Sequence, residues 1–334
     1  MAVNRWDQLI DGWSEELRKA FLDSVYRLRD QAQIDAIARA LERGDVEAAL
    51  RAVGLDPASL RPFDRAVAEA FEAGGNETSL RLPTARRATA RIQFNVRNPA
   101  AEAWLRDHSG ALIRDVIEDQ RAVARLVLTA GLRDGQNPRT TALNLVGRVN
   151  PATGRREGGI IGLTASQERW VARYEAELAS DAPGAALGRT LRDKRFDAAV
   201  RRAAASGKPI PADIRAKMVA AYRNRALRFR AETISRTESM RALHAAQDEA
   251  VRQAVEAGGL QADQVTFTWH TARDRRVRDT HWIMNGDKVK MGEAFITGSG
   301  ARLRYPGDPE GPPAEVINCR CFRMVAVDFL QGIT

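Results

Sequence analysis

Two cysteines, Cys319 and Cys321, are the only thiols in this 334-residue chain, and they stand two positions apart. On an extended segment, residues i and i+2 face the same side, so both sulfurs can converge on one ion. Together with His281 and one of Asp274, Asp279 or His270, they would complete a tetrahedral set for zinc. The spacing is Cys-x-Cys and not the Cys-x2-Cys of a zinc knuckle, and buried structural thiols are the competing reading. A cysteine near a histidine is also the outline of an activated nucleophile. Nothing at a known spacing supplies the orienting partner that such a nucleophile needs, so no catalytic residue is assigned.

A second group of residues is suited to locking rather than reacting. Arg236 and Glu238 lie in a helical context that points them to different faces, which argues against a catalytic arginine–glutamate pair. Glu238 or Asp274 pairing with Arg275, Arg278 or Arg320 would form a bidentate lock between a helix and two strands. Trp269, on an alternating run, would supply the apolar body of the same small domain.

The third feature is basic. Between Arg189 and Arg230 there are thirteen basic and three acidic residues, with Ile214, Met218, Ala221, Tyr222 and Phe229 as an apolar stripe. Arg201, Arg202, Arg215, Arg223, Arg225, Arg228 and Arg230 occupy much of the remaining circumference. Such guanidinium groups suit phosphates, with sequence-independent and salt-sensitive binding, or an acidic protein surface. No recognition-helix or zinc-finger pattern supports base reading.

These groups have to be held by a mainly α chain: a multi-helical body with a small α+β C-terminal domain. Leu9, Trp13, Leu17, Phe21 and Val25 recur at about the spacing of one helix face. Asp45, Asn137 before Pro138, and Thr164 with Gln167 read as helix N-caps. Four segments are expected: N-terminal helices over 1–80, an extended linker or arm over 81–100, a helical body with basic helices over 101–257, and the α+β domain over 258–334. Within them, the residues from Gly74 to 100 read as a connection, with a β-like run from Arg91 to Arg97, and a long helix is expected from Ala111. Val265–Trp269 and residues 316–327 are the strand candidates, and Asn285-Gly286 is a tight turn.

Net charge is +9, unevenly placed: about −5 over residues 1–80, +5 over 81–97 and +10 over 189–230. Apolar residues at 44% and charged residues at 28% exclude wholesale disorder. No apolar run reaches the length needed to cross a bilayer, and the N-terminus lacks a secretory pattern, so no membrane partner is expected. Two thiols fit a reducing compartment.

One ordered string runs through the C-terminal third: Ile234-Ser-Arg-Thr-Glu238, Trp269, Asp274-Arg-Arg-Val-Arg278, His281, Asn285-Gly286, Phe295, Tyr305-Pro306, Asp308-Pro309 and Asn318-Cys-Arg-Cys321. In this order it resembles the Mu F-like minor head proteins of tailed phages, and Phe94–Asn98 and Gly162–Gln167 are similar to segments of the same family. The resemblance implies a non-enzymatic minor capsid protein of the virion interior, present in the host cytoplasm during assembly. Its implied partners are the portal protein, the major capsid or scaffolding protein, and double-stranded DNA. It implies no cofactor, with zinc on His281, Cys319 and Cys321 as the open possibility. The alternative is a virion-delivered zinc- or cysteine-dependent enzyme. Some relatives continue into an effector domain, and the thirteen residues after Cys321 leave no room for one here, which favours a purely morphogenetic role.

Overall fold

The computed structural model of the chain describes residues 5–82 and 93–329. It is mainly helical, with small antiparallel sheets, two of them near the C-terminus. The longer helices are α1 (Arg5–Gln31), α2 (Ile34–Glu42), α3 (Val46–Val53), α4 (Arg61–Arg81), α5 (Pro99–Arg133), α6 (Pro138–Val146), α7 (Ala165–Ala179), α8 (Asp197–Ser206) and α9 (Ala212–Glu256); α10 (Asp279–Trp282) and α11 (Pro313–Val316) are single turns. The strands are β1 (Arg148–Val149), β2 (Arg156–Glu157), β3 (Val265–Thr271), β4 (Lys288–Lys290), β5 (Phe295–Ile296), β6 (Arg302–Leu303) and β7 (Cys321–Val327).

The helix starts follow their caps. Asp45 accepts from the Ala48 amide at 2.8 Å, and Asn137 accepts from that of Thr140 at 3.1 Å with Pro138 as the first helical residue. Thr164 and Gln167 form a reciprocal capping box.

Three boundaries differ from the sequence reading. Gly74 and Gly75 do not end a helix, because α4 continues through them to Arg81. They are packing residues: a Cβ on Gly74 would lie 2.7 Å from the Leu243 carbonyl oxygen of α9, and one on Gly75 would lie 2.3 Å from the Phe94 ring. Next, α5 starts at Pro99 and not at Ala111, with Asn98 accepting from the Ala100 amide at 3.0 Å. Of the expected arm, residues 83–92 lie outside the described residues, and residues 93–98 form no strand. Finally, β7 begins only at Cys321, because the prolines before it nucleate α11.

Contacts divide the chain into two compact units, each assembled from separated segments. The first comprises residues 1–21, 63–110 and 232–334, and the second comprises residues 22–62 and 111–231. Their borders cut across the four linear segments expected from the sequence.

In the first unit the sheet order is β4-β3-β7, all antiparallel. Alternate residues of β3 (Val265, Phe267, Trp269, Thr271) are buried, and the first three join Trp6, Ile10, Met240, Leu243 and Val251 in one core. The register sets Thr271 opposite Cys321, His270 opposite Phe322, and Trp269 opposite Arg323.

The second unit is closed around buried polar anchors. Arg29 donates to the carbonyls of Arg156, Gly159 and Ile161, and Gln120 donates to the Leu163 carbonyl at 3.1 Å while accepting from the Gly162 amide at 2.6 Å. Tyr174 and Tyr222 stack with ring centroids 4.5 Å apart, packing α7 on α9. No helix among the described residues is long and apolar enough to cross a membrane.

Candidate functional site

The Asn-Cys-Arg-Cys turn of the first unit is held in place by α9. Asn318 adopts the left-handed conformation (φ 55°), which asparagine tolerates better than most residues. Its amide donates to Thr237 Oγ1 at 2.9 Å, and Arg236 Nε donates to the Cys319 carbonyl at 3.0 Å. The Arg-Thr part of the helical string is therefore a clamp on the turn, and Arg236 also pairs with Asp11 at 3.1 Å. Glu238 faces elsewhere: it pairs with His108 at 2.7 Å and with Arg241 at 2.8 Å. Asp274 is the residue that meets Arg320, at 2.6 and 2.7 Å, and this ties the loop after β3 to the residue between the two cysteines.

His281, Cys319 and Cys321 meet in space. All three are buried, and their ligand-capable atoms lie within 4.8 Å of one another. His281 Nδ1 is 3.4 Å from the Cys319 sulfur and 3.5 Å from that of Cys321. Trp269 covers the imidazole edge-on at 5.3 Å. His270 cannot join them, because β3 alternation puts it on the other sheet face, where it stacks on Phe322.

Glu315 completes the cluster. Its Oε2 lies 2.9 Å from His281 Nε2, at ion-pair distance but oblique to the N–H bond. Thr280 and Ser299 donate to the two carboxylate oxygens at 2.9 and 2.5 Å. Burial pushes the Glu315 carboxyl up, and these hydrogen bonds with the adjacent imidazole outweigh it, holding the group ionised below its ordinary range.

The thiols are driven apart. Burial pushes Cys319 up, but hydrogen bonds from Cys321 and His281 bring it well below the ordinary thiol range. Cys321 is raised by sharing its proton with Cys319, by burial, and by the neighbouring negative charge. A cysteine, an imidazole and a carboxylate thus stand in the order of a cysteine nucleophile. Substrate access is what the arrangement lacks, since Cys319 is 0% and Cys321 and His281 are each 1% exposed. A cavity of about 550 Å³ in this unit is lined by Trp104, His108, Arg304 and Tyr305 among others, and by none of the three.

The basic residues divide into two sets. Arg201, Arg202 and Arg228 are exposed, and Arg215 is half-buried. Arg223 donates to the Gly158 carbonyl, Arg225 to that of Arg192, and Arg230 to that of Gly162 while pairing with Asp119 at 2.9 Å. The last three hold their own unit together, which narrows the set of arginines available to an outside partner.

Sequence reasoning missed Glu315, His244 and Arg323. The only local sign of Glu315 was a carboxylate just after two prolines, and for the other two there was none. His244 is fully buried between Trp6 and Tyr305. Its Nδ1–H donates to the Met240 carbonyl at 2.9 Å, and Nε2 accepts from the Arg323 amide at 3.4 Å, which defines a neutral tautomer.

Burial and the Arg323 charge push His244 down from 6.5 to about 3. Because the folded value is depressed, the stability is intact above the unfolded value and is lost as pH falls from 6.5 toward about 3. The expected loss is about 1.4 kcal/mol per pH unit in that window relative to a His244→Gln variant. Urea unfolding of both proteins at pH 7, 5.5 and 4.5 checks this, and parallel slopes would refute it.

Comparison with curated proteins and with solved structures gives no match. Residues 194–324, less than half of the chain, match the family described as Phage Mu protein F like protein, and this match supports a role in phage head morphogenesis.

Proposed function

We propose that the chain is a minor, non-enzymatic component of the phage head, placed inside the procapsid beside the portal, where it assists assembly and DNA packaging or ejection. The observation that carries this reading is the family match over residues 194–324, whose span includes the clamp of Arg236 and Thr237 on the Asn318–Cys321 turn. The burial of the thiol–imidazole cluster favours a structural over a catalytic use of it. The portal and the major capsid or scaffolding protein are the partners in this reading. Purified procapsids should contain the chain; its absence from them, with no head component copurifying, would remove the proposal.

Contact with double-stranded DNA is part of the same reading, and it falls to Arg201, Arg202 and Arg228. Each phosphate contact contributes about 0.9 to the slope of log affinity against log salt, so replacing all three arginines by glutamine should lower that slope by about 2–3. An unchanged slope in the folded triple variant would exclude these groups as phosphate ligands and leave a protein surface as their partner.

A further inference from the structure

We propose that His281, Cys319 and Cys321 bind a zinc ion that staples α10 to the start of β7, a site that stands independently of the head role. Both sulfurs approach one nitrogen, His281 Nδ1, at 3.4 and 3.5 Å. That nitrogen carries either one lone pair or one hydrogen, so it can serve one thiol but not two as a hydrogen-bond partner. A metal ion at the common focus satisfies all three atoms at once. Zinc with Zn–S of about 2.3 Å and Zn–N of about 2.0–2.1 Å has tetrahedral sulfur–nitrogen edges of about 3.6 Å, close to the separations seen.

The outer shell has the same logic. A metal-binding histidine has its other nitrogen beside a carboxylate, which places the hydrogen there and turns the lone pair to the metal. Glu315 occupies that place at 2.9 Å from Nε2, and it is itself fixed by Thr280 and Ser299. Charge points the same way. Two thiolates offset the charge of Zn2+, which lets a water-excluded interior hold the ion. Both sulfurs bind as thiolates, and any proton they carry leaves to solvent. Asp274 is committed to Arg320 and His270 lies on the opposite sheet face, so neither of them completes the coordination.

The test uses the full chain purified without chelator from zinc-supplemented medium. About one zinc per chain by elemental analysis supports the site, as does a thiolate-to-metal charge-transfer band when cobalt replaces the zinc. Both signals should disappear in Cys319→Ser/Cys321→Ser, with far-UV circular dichroism reporting whether that variant folds. Glu315→Gln keeps all three ligands and should weaken zinc binding by about 10–100-fold. If the double variant does not fold, the cobalt spectrum of the unaltered protein decides. Absence of stoichiometric zinc and of the charge-transfer band in the folded wild-type protein overturns the proposal, as does undiminished zinc in a folded double variant.

Discussion

Replacing Arg323 by alanine should destabilise the protein by about 3–5 kcal/mol in urea unfolding, the range for breaking a buried charge network by removing one partner. The side chain is 2% exposed and reaches from β7 into α9. Its guanidinium donates to Gln247 Oε1 at 2.8 Å, to the Arg304 carbonyl at 2.9 Å and to the His244 carbonyl at 3.2 Å, and it also pairs with Asp248. The plane lies 4.1 Å from the Phe267 ring centroid and 5.1 Å from that of Tyr305. Truncation leaves two carbonyls and an amide oxygen without their donor inside the core, which costs more than the lost attraction alone. Asp248 is partly exposed, so its share is discounted for solvent screening. Lysine at this position should recover little, because one ammonium cannot reproduce the planar fork or its stacking on the rings. A loss below about 1 kcal/mol for the alanine variant would show that the network is not a stabilising centre.

Arg29→Ala should have an effect of similar size, about 3–5 kcal/mol, in the second unit. Arg29 is 1% exposed and, among the described residues, donates only to carbonyls: Ile161 at 2.6 and 2.9 Å, Gly159 at 2.9 Å and Arg156 at 3.0 Å. Burial pushes its pKa down from 12.5 to about 10, with Tyr26 and Glu157 opposing, so the cation is retained at neutral pH at the expense of its hydration. The Gly159 and Ile161 carbonyls belong to a loop whose amides at Ile160 and Ile161 bond back to the Leu145 carbonyl at 2.9 Å. Losing the guanidinium should therefore speed hydrogen exchange at these two amides as well as lowering the unfolding midpoint. Unchanged protection of both amides in the folded variant would mean that the loop closes without the cation.

Neither arginine announced itself in the sequence. The chain is rich in arginine, and burial of one such residue depends on which distant carbonyls the fold brings to it. Several local readings agree with the structure: the apolar positions Leu17, Phe21 and Val25 of α1, the caps at Asp45, Asn137 and Thr164, and the alternation of β3. Gly74 and Gly75 mislead, because the same residue that breaks a helix also lets a helix backbone or an aromatic ring come close, and only the partner's position distinguishes these uses. For the cluster, Cys319, Cys321 and His281 could be grouped by residue chemistry. Glu315 could not, since its position depends on loops that bring Thr280 and Ser299 to the same carboxylate.

The first unit joins residues 1–21 to residues 232–334. During synthesis the opening turns of α1 emerge more than two hundred residues before the surface they pack on. Trp6 and Ile10 must therefore wait in the nascent chain, apolar and uncovered, until the sheet that shares their core has been made. Such long-range closure slows folding and prolongs exposure to aggregation, so a chaperone or an early assembly partner would have its greatest effect on this unit.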